Sequence, residues 1–152
     1  MKFSCSVKIN APREKVVEMF KNPDNLKQWQ DGFIRKILIS GEEMQNGAVS
    51  EIMYEVGKRD MALIETILSN DLPDSFEARY EHTHTSNTMK SIFEDLGGQS
   101  CQYTAEIHYT RFTGFMVKLF AIIAPSMFKK QVQKWIDQFK AHVEASHSAA
   151  SI

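Results

Sequence analysis

The sequence predicts a single α+β domain in which a curved, seven-stranded antiparallel sheet wraps around a long C-terminal helix. Two observations predict this arrangement. Residues 33–112 alternate between apolar and polar side chains and are interrupted by short turns, a pattern typical of consecutive strands. Residues 114–144 change to a helical period. Because parallel strands need long crossover connections, the short turns favour antiparallel pairing.

The composition indicates one globular domain. The 152 residues are 43% hydrophobic and 24% charged, and the net charge is -1 without a basic block, so nucleic-acid binding is not expected. Cys5 and Cys101 fall inside strand-like runs without metal-ligand spacing, so we expect no metal, no cofactor and a reducing, cytoplasmic setting. The first residues have no apolar signal-peptide core, and the longest apolar run, residues 119–125, is far shorter than the roughly 20 residues that span a bilayer.

The first thirty residues predict a strand and two short helices. Residues 2–9 alternate cleanly, which predicts a half-buried strand. Asn10 is a suitable N-cap and Pro12 suits a first helical turn, so a helix is expected next. Pro23 disfavours helical geometry at the residue before it and ends this helix. The second helix is expected over residues 24–30.

The period then stays near two, and six further strands are predicted, over residues 33–40, 48–56, 61–68, 75–84, 88–94 and 101–112. Glycines and prolines mark the turns between them. We interpret Arg35-Lys36 and Lys58-Arg59 as solvated residues of strand edges or turns.

The C-terminal helix is predicted to have two unlike halves. Residues 127–143 are strongly amphipathic, with an apolar stripe formed by Phe128, Val132, Trp135, Ile136, Phe139 and Val143. Residues 115–124 are apolar on nearly every side, so this half is expected to be enclosed by protein, to wall a cavity or to lie on a membrane. Pro125 removes a backbone donor and predicts a kink or break between the halves. Residues 145–152 are expected to form a frayed tail.

Three segments carry a resemblance to a known family. They are Ile9-Asn10-Ala11-Pro12-Arg13-Glu14-Lys15-Val16, Asn22-Pro23-Asp24-Asn25-Leu26-Lys27-Gln28-Trp29, and the closing helix from Pro125-Ser126-Met127-Phe128 to Phe139-Lys140. With the order of elements, they resemble the START-like, or helix-grip, superfamily of Bet v 1-type proteins, and its bacterial polyketide cyclase/dehydrase-like branch. The resemblance covers almost the whole chain. It implies a sheet wrapped around the long helix with an apolar cavity between them.

Glu65 is the first candidate for chemistry in that cavity. Both faces of the strand over residues 61–68 are apolar, so its parity is ambiguous, and the resemblance favours the face that contains Glu65. A buried carboxylate must be hydrogen-bonded, paired or protonated. It would then be a polar anchor or a general acid or base. An outward-facing or structurally paired Glu65 is the alternative.

His82 is the second candidate. The alternation Phe76, Ala78, Tyr80 continues to His82 and His84 on the inner side, where a histidine beside Tyr80 would orient a ligand carbonyl or phenol. Alternatively, both histidines meet solvent at a strand end. Their spacing also permits a metal site, but no third ligand stands at a recognisable spacing.

The full set of residues predicted to line the cavity combines inward strand positions with the apolar helix half. It contains Trp29, Met61, Leu63, Glu65, Tyr80, His82, Phe93, Tyr103, Ile107, Phe115, Leu119, Phe120, Ile123 and Met127. The tyrosines either present hydroxyls to a ligand or satisfy each other in a plain core.

Functions from three classes remain open. The expected cavity favours binding or transport of a hydrophobic small molecule, such as a lipid, a quinone or an aromatic, polyketide-like metabolite. The alternative is a cyclase-, dehydratase- or hydrolase-type enzyme in which Glu65 and His82 transfer protons. A third is a module whose surface at residues 115–124 docks on a membrane or a partner. With a net charge of -1, membrane contact is expected to be transient at most.

Overall fold

The predicted fold is confirmed by the structure, a computed structural model that describes residues 1–150 except for the side chains of Met116, Phe120 and Ile123. Seven strands form one antiparallel sheet. Their bounds are β1 Lys2–Ile9, β2 Phe33–Ser40, β3 Val49–Val56, β4 Arg59–Asp71, β5 Ser75–Glu81, β6 Thr85–Leu96 and β7 Ser100–Phe112. The strand order is β1-β7-β6-β5-β4-β3-β2, so β1 and β2 form the two edges.

The helices flank the sheet at both ends of the chain. Helix α1 covers Arg13–Lys21, a 3-10 turn covers Pro23–Asn25, and α2 covers Leu26–Trp29. The expected second helix is thus divided, because the Asn22 side chain caps the 3-10 turn by accepting a hydrogen bond from the Asp24 backbone N–H at 3.0 Å.

The expected break at Pro125 separates α3, Phe115–Ile123, from α4, Pro125–Ala150. Helix α4 lies along β1, where the Lys140 ammonium donates to the Lys8 carbonyl at 2.6 Å. It continues to Ala150, although residues 145–152 were expected to be frayed. Residues 145–150 contain no glycine or proline and include three alanines, which favours helix. Residues 151–152 lie outside the described part of the chain.

The main hydrophobic core lies between α1, α2, α4 and one end of the sheet. Phe20 is at its centre and makes edge-to-face contacts with Phe93 and Phe139, with ring centroids 5.1 and 6.2 Å apart. Phe93 also stacks on Tyr103 at 4.8 Å. The Tyr103 hydroxyl is satisfied by Ser91 Oγ at 3.0 Å. This end of the molecule is therefore closely packed.

Two hairpins differ from the expected boundaries. Strand β4 begins at Arg59 and pairs with β3 down to the tight turn at Gly57, whose φ is +64°. Strand β5 ends at Glu81, before the two histidines, and β6 begins at Thr85. Arg111 explains the short β5–β6 connection, because its guanidinium donates to the carbonyl oxygens of His82, Thr83 and Thr85 at 2.9, 3.3 and 3.2 Å.

Candidate ligand site on the concave sheet face

The concave face of the sheet has two halves that differ in burial. In the packed half, next to α1 and α2, the inward side chains are almost inaccessible, and they include Ile9, Ala78, Phe93, Cys101 and Tyr103. In the open half, the side chains that continue the same inward rows are only half-buried, and they are Met61, Leu63, Tyr80, Asn87, Met89 and Tyr109. Burial is therefore less complete over the open half, although Ile52, Tyr54 and Ile107 on the same face remain buried.

The open half lies where β7 leads into α3. Inward side chains of a closely packed sheet lose nearly all contact with solvent. Here, on β6, Phe93 and Ser91 are 1% and 2% exposed, whereas the next two inward residues, Met89 and Asn87, keep accessible surface. The described side chains therefore cover the open half less completely than the packed half.

A row of polar side chains crosses the concave face in register. Ser50 pairs with Glu65, Glu65 with Tyr80, Tyr80 with Asn87, and Asn87 with Tyr109. Cross-strand partners on one face stand about 5 Å apart, so each side chain has a polar neighbour. The row runs beside apolar residues such as Leu63 and Met89, and it gives the open half a defined polar line.

Glu65 and Lys36 form an ion pair at one end of this row. The Lys36 ammonium lies 2.8 Å from Glu65 Oε1, and the two side chains are only 18% and 6% exposed. The contact does not have hydrogen-bond geometry, and Glu65 Oε1 accepts no hydrogen bond from the described residues. Because it has no donor, this atom retains the capacity to accept a hydrogen bond. Leaving a buried carboxylate oxygen without one costs free energy.

Tyr80 is the neighbour of Glu65 on β5. Burial and the adjacent Glu65 carboxylate raise the pKa of Tyr80 well above its ordinary value. The same two causes raise the pKa of Tyr54, whose hydroxyl donates to Gln30 Oε1 at 2.6 Å. Both phenols therefore keep their protons at neutral pH, and a hydrogen bond from the Tyr80 hydroxyl to the Glu65 carboxylate contributes to the raised pKa of Tyr80.

His82 and His84 lie at the rim, beyond the end of β5. His82 is half-buried, His84 is exposed, and their rings meet edge to face at 5.7 Å. Burial lowers the pKa of His82, and the charges of His84 and Arg111 lower it further. The expected pairing of Glu65 with His82 is not among the contacts of the described residues. The strand register places Tyr80, not His82, opposite Glu65.

The predicted lining residues separate into three groups. Met61, Leu63 and Tyr80 lie in the open half, with Glu65 beside them and His82 at the rim. Trp29, Phe93, Tyr103 and Ile107 are at most 4% exposed and belong to the packed core, so the structure leaves no space beside them. For Phe120 and Ile123, the prediction concerns side chains outside the described part of the structure.

The third group corrects the expectation that the apolar helix half is enclosed. Phe115 is 76% exposed, Leu119 is 37% exposed, and Met127, at the start of α4, is 51% exposed. Among the described residues, the main contacts of helix α3 are with β7 and α4, and its face with Phe115 and Leu119 is exposed.

Lys36 is the site residue that the sequence analysis missed, because Arg35-Lys36 was interpreted as solvated. Strict alternation from Phe33 would turn Arg35 inward and Lys36 outward. A register shift between Phe33 and Arg35 reverses this parity, so Lys36 pairs with the buried Ile52 and faces inward. The local sequence contains no signal for such a shift, so alternation alone could not find Lys36.

This arrangement of one long helix against a curved seven-stranded antiparallel sheet defines a helix-grip protein. The chain belongs to the family described as polyketide cyclase/dehydrase and lipid transport, whose family model matches residues 1–144. A comparison with curated proteins found no match.

Solved structures show the same fold at low sequence identity. The Zhui aromatase/cyclase from Streptomyces sp. R1128 is similar with a TM-score of 0.77 and 8% identity, covering 95% of this chain and 93% of that one. A protein from Thermus thermophilus has a TM-score of 0.76 and 14% identity, and the match covers 96% of this chain and 99% of that one. Major latex-like protein 151 from Panax ginseng has a TM-score of 0.71 and 19% identity, and the match covers 93% of this chain and 96% of that one. These likenesses concern the fold alone.

Within residues 1–150, no helix combines the length and hydrophobicity needed to cross a bilayer. In the same part of the chain, no three histidine, cysteine or carboxylate side chains are grouped as metal ligands would be.

Proposed function

We propose that the protein binds a hydrophobic small molecule between the open half of the concave face and the C-terminal helices. The observation that carries this proposal is that the exposure of inward side chains changes along a single strand. On β4, Ile67 is 3% exposed, whereas Leu63 and Met61, on the same face, keep accessible surface. Apolar side chains that face inward but remain accessible are typical of a ligand cavity. Family membership supports the same conclusion.

The polar row suggests which ligands are preferred. Glu65 Oε1 has room for one more donor, and the Tyr80 hydroxyl is a donor that keeps its proton. A ligand hydroxyl or phenol would donate to Glu65 Oε1, whereas the Tyr80 hydroxyl already donates to the Glu65 carboxylate. Lys36 already neutralises Glu65, so an anionic ligand would have to displace the carboxylate. We therefore expect neutral, oxygenated, mainly apolar ligands to bind better than carboxylates.

A matched set of probes tests this preference. Equilibrium dialysis would compare 2-naphthol, 2-methylnaphthalene and 2-naphthoate with protein purified without detergent. A hydrogen bond to a charged group contributes about 1.5 kcal/mol or more, so 2-naphthol should bind roughly tenfold more tightly than 2-methylnaphthalene. Glu65→Gln should reduce this ratio, because the neutral amide is a weaker acceptor. Equal binding of 2-naphthol and 2-methylnaphthalene would refute the anchor. Failure of all three to bind would count against the cavity.

The geometry does not favour the catalytic alternative. General acids and bases work best when their pKa lies near the operating pH, whereas the pKa of Tyr80 is raised well above 10. The strand register also separates Glu65 from His82. Glu65 is therefore proposed as an anchor rather than as one half of a proton-transfer pair.

A further inference from the structure

Helix α3 carries an apolar stripe that faces solvent. Phe115, Leu119 and Ile122 follow a spacing of i, i+4 and i+7, which places them on one face of the helix. Phe115 and Ile122 are 76% and 77% exposed. Lys118 lies on the same face at i+3 and is also exposed. A stripe with this spacing normally packs against the core, so its outward orientation requires another explanation.

The surrounding charge is strongly biased. Between Glu106 and Asp137 the chain contains no carboxylate, but it contains five basic residues, Arg111, Lys118, Lys129, Lys130 and Lys134. The remainder has 13 basic and 19 acidic residues, so a net charge of -1 hides a basic region around α3. Arg111 is engaged with backbone carbonyls, and Lys134 pairs with Asp31 at 2.8 Å. Lys118, Lys129 and Lys130 are exposed and have no ion-pair partner among the described residues.

The start of α4 extends this surface. Met127 is 51% exposed, and Lys130 and Lys134 follow it at i+3 and i+7, on the same side of the helix. Large apolar side chains beside lysines, without nearby carboxylates, are the composition of helices that lie in the interface of anionic bilayers. The aliphatic stem of a lysine can stay among apolar groups while its ammonium reaches lipid phosphates.

We propose that the outer face of α3, with Met127 and Lys130, docks on the surface of an anionic lipid bilayer. Phe115 and Ile122 would insert among the acyl chains, while Lys118 and Lys130 would contact the headgroups. The segment is bounded by Gly114, with a φ of +94°, and by the break between Ile123 and Pro125. This function goes beyond ligand binding and does not depend on the identity of the ligand.

Flotation of the full chain with lipid vesicles tests the docking. Neutral phosphatidylcholine vesicles would be compared with vesicles that contain about 30 mol% phosphatidylglycerol, at low and at physiological salt. The protein should float with the anionic vesicles and release as the salt concentration rises. Absence of flotation under every condition would overturn the proposal.

Variants identify the surface involved. Phe115→Ser with Ile122→Ser should weaken partitioning at least tenfold, because two inserted side chains are lost. Ile39→Ser is the matched control, since Ile39 is 57% exposed on the edge strand β2, and it should float like the wild type. Lys118→Gln should weaken anionic binding about fivefold, and the control Lys90→Gln should not.

Two further outcomes would contradict the docking surface. If the double variant floats as well as the Ile39→Ser control, α3 does not insert. If sedimentation shows a dimer that the double variant dissociates, the stripe is an interface with a second copy. Uptake of 2-naphthol in vesicle-free solution is measured in parallel. Flotation failing while uptake persists rejects this inference alone, and the reverse result rejects the ligand proposal alone.

Discussion

The Lys36 ammonium reaches from edge strand β2 across β3 to within 2.8 Å of Glu65 Oε1 on β4. Both side chains lie on the concave face, beside Leu63 and Ile52. A buried ion pair contributes little net stability, because desolvation offsets the attraction, but removing one partner leaves the other charge uncompensated. Under the proposed function, the main effect of this pair is on ligand recognition rather than on stability.

Substitution of one partner should therefore cost more than substitution of both. Lys36→Met should reduce the free energy of unfolding by about 3 kcal/mol, whereas Lys36→Met with Glu65→Gln should recover most of that loss. Urea denaturation measures both values. Additive effects of the two substitutions would show that the pair is not coupled.

The four tyrosines should titrate only when the protein unfolds. Burial raises the pKa of each, to about 12 for Tyr109 and well above 10 for Tyr54, Tyr80 and Tyr103. The unfolded chain loses these protons first, so stability falls as pH rises above about 10. Tyrosinate absorbance near 295 nm should appear together with the loss of circular dichroism. A tyrosinate signal in the folded protein near pH 10 would contradict this burial.

His82 should contribute to acid sensitivity. Its folded pKa is lowered from 6.5, so the unfolded chain binds the proton more readily and stability is lost as pH falls below about 6.5. His82→Gln should weaken the pH dependence of the thermal unfolding midpoint between pH 7 and 5. The partial exposure of the ring limits the size of this effect. His108→Gln, on β7 and on the opposite face of the sheet from Tyr109, is the control, because His84 itself acts on the pKa of His82. Equal weakening by both variants would refute the assignment to His82.

Gly32 should tolerate no side chain. Its φ is +77°, and a Cβ there would collide with the Glu55 carbonyl oxygen. The backbone N–H of Glu55 also donates to the Gly32 carbonyl at 2.7 Å. Gly57 has a similar φ of +64° but open space around it. Gly57→Ala should cost about 1 kcal/mol from the left-handed backbone alone, and Gly32→Ala more than about 3 kcal/mol. Equal costs in urea denaturation would show that the collision relaxes.

The sheet and the long helix could be predicted because their apolar periods are continuous over many residues. The seven strands, the first helix and the break near Pro125 all follow from such patterns. Strand ends were less predictable. The β5–β6 connection depends on a hydrogen bond from Arg111 to His82, and these residues are too far apart in the sequence for the contact to be predicted. The resemblance to helix-grip proteins placed Glu65 on the concave face, where the parity alone was ambiguous.

The site was predictable only in part, because it depends on long-range packing. Lys36 faces inward through a bulge, which reverses the parity without a local signal. Tyr103 and Phe93 share a face with residues of the open half, but Phe20 of α1 and Phe139 of α4 cover them, which no strand pattern can show. Phe115 has the periodicity of a buried residue and is nevertheless 76% exposed, because none of the described elements covers its side of α3.

The most direct test of the central claim is to fill the proposed ligand cavity with a larger side chain. Leu63 and Ile64 are neighbours on β4 and point to opposite faces of the sheet, Leu63 to the concave one. Dialysis of 2-naphthol against Leu63→Trp and Ile64→Trp, both first checked for native thermal stability, separates the two faces. We predict that Leu63→Trp loses uptake and that Ile64→Trp binds like the wild type. Equal binding by the two variants would contradict a ligand cavity on the concave face.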